Sequence, residues 1–90
     1  MSMIFTAERR IAPRVPGAGH LEIMYADPLP AMVDAELIER SSTGFRASHA
    51  CARLVAGLEV SIRRDGNSSR ARVIWTHVLQ EHRVSGFLLL

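Results

Sequence analysis

Eleven of the 90 residues are basic, and all eleven are arginines; there is no lysine. Three of them fall within Glu8-Arg9-Arg10-Ile11-Ala12-Pro13-Arg14. A guanidinium forks two parallel hydrogen bonds onto a phosphate or a guanine edge, and its flat face stacks on a base; an ammonium does neither. Arg10 and Arg14, four apart and just ahead of a predicted barrel, would suit a clamp on a guanine nucleotide. Taken alone, the segment reads more simply as solvated charge on an N-terminal arm, because short basic runs are common.

A second segment, Glu39-Arg40-Ser41-Ser42-Thr43-Gly44, sets a carboxylate, a hydroxyl and a glycine at intervals of two and three. An ionised carboxylate is an acceptor only, suited to the N1–H and N2–H₂ donors of guanine. A hydroxyl donates to phosphate or accepts from a backbone N–H, and glycine lets the chain turn tightly and approach a ligand closely. The simpler reading of these six residues is a turn that ends a strand. Elsewhere the chemistry is sparse. His20, His49, His77 and His82 are scattered, with no metal-ligand spacing, and read as surface or edge residues. Ser41, Ser42, Ser68 and Ser69 fall in expected turns, where serine bonds its local backbone. Neither a Gly-x-Ser-x-Gly elbow nor a phosphate-binding loop occurs. Cys51, in an alanine-rich stretch, reads as a small buried hydrophobe. The expectation is a binding protein with no enzymatic step, no metal and no cofactor.

The elements that must position these residues follow from composition and periodicity. Ninety residues make one small domain, and an apolar fraction of 48% is that of a globular chain. A formal charge of +2 favours polyanionic partners only slightly. One cysteine excludes an internal disulfide framework. No apolar run reaches the length of a membrane span, and the start Met1-Ser2-Met3-Ile4-Phe5 lacks the marks of a signal peptide. A soluble cytoplasmic domain with no membrane partner is expected.

Pro13 and Pro16 forbid a continuous helix through residues 1–18, which read as a flexible N-terminal arm ahead of a barrel over 19–90. His20–Ala26 alternates as a strand with Leu21, Ile23 and Tyr25 on one face. Met32–Ser41 is a second strand, with Val33, Ala35 and Leu37 inward; Ile38 breaks the alternation and predicts a bulge or a strand exit. Phe45–Ala47 is a short extended piece. Ser48–Val55 reads as one or two helical turns, capped by Ser48 and stopped by Gly57. Leu58, Val60 and Ile62 mark another strand, Asp65-Gly66-Asn67 a hairpin turn, and Arg70–Leu79 and Arg83–Leu90 two more strands joined at Gln80-Glu81-His82. Several short strands at this spacing predict an all-β chain forming a small antiparallel barrel.

Taken together, the two motifs resemble the PilZ domain family. Arg10-Ile11-Ala12-Pro13-Arg14, followed some 25 residues later by Glu39-x-Ser41-x-x-Gly44, is similar to that family's Arg-x-x-x-Arg arm and Asp/Asn-x-Ser-x-x-Gly turn. The order of Gly44-Phe45, Gly57-Leu58-Glu59-Val60, Ala71-Arg72-Val73-Ile74-Trp75 and Gly86-Phe87 extends the resemblance over most of residues 8–90. It implies a six-stranded β-barrel that binds cyclic di-GMP, a bacterial second messenger, and signals by ordering its arm over the ligand. By position, Arg10 and Arg14 would clamp phosphates and guanine Hoogsteen edges. Ser41 and Gly44 would shape the turn beneath the ligand, and Glu39 would stand where the family places Asp or Asn. Arg9, a neighbouring charge outside the motif, would assist. Trp75 offers a stacking surface for a purine, or else fills the core or the barrel rim.

Two departures from the family pattern bear on function. Glu39 carries one methylene more than aspartate, moving its carboxylate about 1.5 Å outward. The final Phe87-Leu88-Leu89-Leu90 takes the place of a C-terminal helix; its leucines could cover a barrel end, or form an edge that pairs with a second copy as a homodimer. The alternative to a nucleotide receptor is therefore a PilZ-like domain that has lost nucleotide binding and acts as a protein-interaction module. Either reading implies a protein partner, which the sequence does not identify. Dispersed arginines and few aromatics argue against nucleic acid.

Overall fold

A computed structural model describes residues 15–16, 19–26 and 28–90. The described chain is all-β and contains no helix. Seven strands follow in order: β1 (Val15–Pro16), β2 (His20–Ala26), β3 (Pro30–Arg40), β4 (Gly44–His49), β5 (Glu59–Arg64), β6 (Asn67–Val78) and β7 (Arg83–Leu89). Six of them close antiparallel into a barrel in the order β3-β2-β5-β6-β7-β4, with β4 returning to β3. The short β1 adds to β3 from outside that circuit, pairing Val15 with Arg40 and Pro16 with Glu39.

Alternation explains the core. Leu21 and Ile23 of β2, Ala35 and Leu37 of β3, Phe45 and Ala47 of β4, Val60 and Ile62 of β5, Ala71 and Val73 of β6 and Phe87 of β7 all point inward, two residues apart on each strand, and are buried. Phe45 and Phe87 are cross-strand partners whose rings stack at a centroid distance of 4.6 Å. Asp65 and Gly66, both at positive φ, form the two-residue turn between β5 and β6 that an Asp-Gly pair favours. Outside, Arg63 is bound to Glu22 across β2 and β5, while Arg70 and Arg72 both hold Glu59 at 2.9 and 2.8 Å. The Arg72 guanidinium, with Arg70 behind it, keeps the Glu59 carboxyl below the usual carboxylate range.

One expectation changes, and one pair of alternatives is decided. Residues 48–55 form no helical turns: β4 runs on through His49, paired to β3 and β7, and the chain then turns without helix. The ladder takes up Ser48 and His49, and Leu54 in the turn that follows drops into the core. The terminal leucines offer no open strand edge. β7 is paired on both sides, to β4 and β6, and the Leu90 N–H donates to the Arg70 carbonyl. Leu89 instead joins Leu21, Leu37 and Ile62 around a cavity at one barrel end.

His49 is a further correction: it is buried at 4% exposure rather than lying at the surface. Its Nδ1 accepts from the Cys51 N–H at 3.0 Å, which leaves the proton on Nε2. Nε2–H then donates to Ser85 Oγ at 2.7 Å, Ser85 to Thr76 Oγ1 at 2.6 Å, and Thr76 to the Leu54 carbonyl at 2.8 Å. This chain fastens the 50–58 connection to the barrel, and its link to Cys51 needs a neutral imidazole, because a protonated Nδ1 would face the Cys51 N–H donor to donor. Burial, with the nearby Arg83 and His82 charges adding to it, holds the His49 pKa below its ordinary value. The unfolded chain therefore takes up the proton first. Its contribution to stability is whole above pH ~6.5 and is lost as pH falls below that towards the depressed folded value. Urea midpoints at pH 7.5 and pH 5 should fall on acidification for the wild type and fall less for His49→Gln; equal falls would contradict the assignment.

Candidate functional site

Two bulges aim two side chains onto one patch of the outer surface. On β3, strict alternation after Ala35 and Leu37 would turn Glu39 into the core. The pairing with β4 shifts between Leu37 and Glu39, so the extra residue is Ile38, and Glu39 faces out opposite Arg46. On β6, alternation after Ala71 and Val73 would bury Trp75. A second shift between Val73 and Trp75 places Ile74 in the bulge and turns Trp75 outward opposite Gly86. Thr76 and Ser85 then fall inward as a pair, which is how they meet His49.

The result is a single row across four strands: Glu39 on β3, Arg46 on β4, Gly86 on β7 and Trp75 on β6, each the register partner of the next. Direct partners share a face of the sheet. Gly86 is the gap in the row. A Cβ there would overlap the Trp75 indole, so the ring fills the space over the glycine, beside the cavity that Arg46 also lines. The His77 ring stands 4.7 Å from Trp75, tilted by 33°. At the other end, the Glu39 carboxylate meets Arg46 Nε at 2.9 Å. The N–H is not aligned on that oxygen, so the contact holds charge to charge without a hydrogen bond at Nε.

The β3–β4 turn borders this row. The Ser41 N–H donates to the Gly44 carbonyl at 2.8 Å, and Ser41 Oγ accepts from the Thr43 N–H at 3.2 Å, the local bonding that favours serine in turns. Gly44 is required by close packing: a Cβ would overlap the carbonyl oxygen of Phe87 on β7. Ser41, Thr43, Gly44, Arg46, Trp75 and Gly86 line a cavity of about 150 Å³, closed on its apolar side by Ile74 and Leu88.

Of the residues singled out in the sequence, Ser41, Gly44 and Trp75 thus line one cavity, and Glu39 joins them through its ion pair with Arg46. Arg9, Arg10 and Arg14 lie outside the described residues. β1, which begins at the residue after Arg14, is fixed beside Glu39 and Arg40. Arg46 was not anticipated. The alternation of Phe45, Arg46 and Ala47 would have placed it outside the barrel, but only the β3–β4 and β4–β7 registers bring it to Glu39 and towards Trp75. Cys51 is half-buried against the core, with its thiol 3.5 Å from the Tyr25 hydroxyl. Among the described residues no cluster of three histidine, cysteine or acidic side chains could hold a metal, and no helix is long and apolar enough to cross a membrane. No protein-family model matches the chain, and no curated protein matches it significantly.

Proposed function

We propose that the protein is a cyclic di-GMP receptor whose barrel binds the nucleotide over the β3–β4 turn and whose N-terminal arm closes on it. The observation that carries this reading is the common cavity of Ser41, Gly44 and Trp75, residues far apart in the chain that meet only through strand pairing. A half-buried indole lining the cavity suits a purine, the turn offers hydroxyl groups, and the bordering Arg46 favours an anionic ligand. The pairing of β1 with Glu39 and Arg40 supports the second half of the proposal. It ties the root of the arm to the row, and Arg14 and Arg10 precede Val15 by one and five residues. Nucleotide binding would order the arm, and the resulting surface would be read by a protein partner in the bacterial cytoplasm. No catalytic step is involved.

A module without nucleotide binding draws support from the Glu39–Arg46 ion pair, which already engages the acidic position of the motif. A nucleic-acid surface is less well supported, because Arg46, Arg63, Arg70 and Arg72 all pair with carboxylates. Amide chemical shifts recorded during titration with cyclic di-GMP separate these readings. The receptor predicts shifts concentrated at residues 39–46, 86 and the Trp75 indole. Shifts elsewhere, or none at saturating ligand, would exclude it.

A further inference from the structure

The Trp75–Gly86–Arg46–Glu39 row has an order that determines which base it would accept. Neighbouring strands lie about 4.8 Å apart. The backbones of Trp75 and Arg46 are therefore separated by about 10 Å across Gly86, which contributes no side chain to the gap. A purine laid on the indole would present an edge along the row towards Arg46. Contact with Glu39 engages the guanidinium at Nε, and the two Nη groups remain as the fork's other end.

We propose that Arg46 is the guanine-selecting residue of this site, forking onto N7 and O6 of a base stacked on Trp75, and that Glu39 is its positioning residue. The inference rests on the reading of the cavity as a purine-nucleotide site and goes beyond the two sequence motifs, neither of which contains Arg46. Guanine offers two acceptors along that edge, whereas adenine offers one acceptor and one donor, so an arginine there discriminates between them. The role of Glu39 follows from its length. Its carboxylate crosses from β3 to β4 and reaches Nε, so the acid at this position orients a cation instead of meeting the base.

Trp75 is the only tryptophan in the chain, so its fluorescence reports on this cavity alone. Titrations with 5′-GMP, 5′-AMP and cyclic di-GMP should change its emission, with the guanine nucleotides binding more tightly. Arg46→Ala should weaken guanine nucleotides about 10- to 100-fold and leave AMP nearly unchanged, removing the preference. Arg46→Lys should not restore it, because an ammonium cannot fork. Glu39→Gln, with its charge removed and its length kept, should lose part of the preference. Equal losses for GMP and AMP, or a preference that survives in both Arg46 variants, would overturn the proposal while leaving cyclic di-GMP binding intact. Arg46-dependent GMP binding without cyclic di-GMP binding would uphold the proposal and remove the cyclic dinucleotide as ligand. Unchanged emission with every nucleotide would remove both. Thermal melts of each variant, matched to wild type, exclude loss of fold as the cause.

Discussion

Replacing Gly44 with alanine is expected to destabilise the barrel by about 3 kcal/mol, the upper end for overpacking a close contact. In a domain of this size that lowers the melting temperature by roughly 12–24 °C. The added Cβ would overlap the Phe87 carbonyl oxygen, which is backbone and cannot swing aside. β7 cannot retreat either, because it is paired to β6 along its length and Leu89 donates to the Thr43 carbonyl. Gly66→Ala is the control. It sits at positive φ with open space around it, so its cost is that of backbone strain alone, about 1–2 kcal/mol. Differential scanning calorimetry of the two variants decides the matter; a Gly44→Ala protein as stable as Gly66→Ala would refute the close-approach account. Because the sheet itself requires Gly44, the motif glycine serves the fold before it serves any ligand.

The second large effect is on binding. Arg10→Ala or Arg14→Ala should each weaken cyclic di-GMP about 10- to 100-fold, since a charge-assisted hydrogen bond contributes about 1.5–3 kcal/mol. Neither change should alter barrel stability by more than ~0.5 kcal/mol, because both residues precede every described strand in the sequence. Fixing the arm costs conformational entropy that the arginine contacts must exceed, so the double variant should bind more weakly than either single one. Calorimetry reads this directly. Unchanged affinity in both single variants would remove the arm from the site and leave the cavity row as the whole of it.

The architecture was legible because the strands obey a period of two and their turns carry standard chemistry. His20–Ala26 matched to the residue, Ile38 announced its bulge by interrupting the alternation, and Asp65-Gly66 specified its turn. The 48–55 segment was misread because Ser48 and Gly57 look like helix ends locally, whereas the ladder with β7 decides the outcome. His49 was missed for a related reason: its partners Ser85 and Thr76 lie 36 and 27 residues away and face inward only because of the β6 bulge. That bulge has no clear sign in Arg72-Val73-Ile74-Trp75, where three apolar residues in a row hide any change of phase. The same hidden shift left Trp75 open to two readings. Glu39 and Arg46 could each be placed on a strand from sequence, but their meeting depends on register, which a one-residue slip would reverse.

The most direct test of the account is a calorimetric titration of the intact protein with cyclic di-GMP, run against cyclic di-AMP and GTP. The account predicts saturable heat with cyclic di-GMP and much weaker binding of both controls. No heat and no thermal shift at excess cyclic di-GMP, or equal affinity for all three, would contradict it.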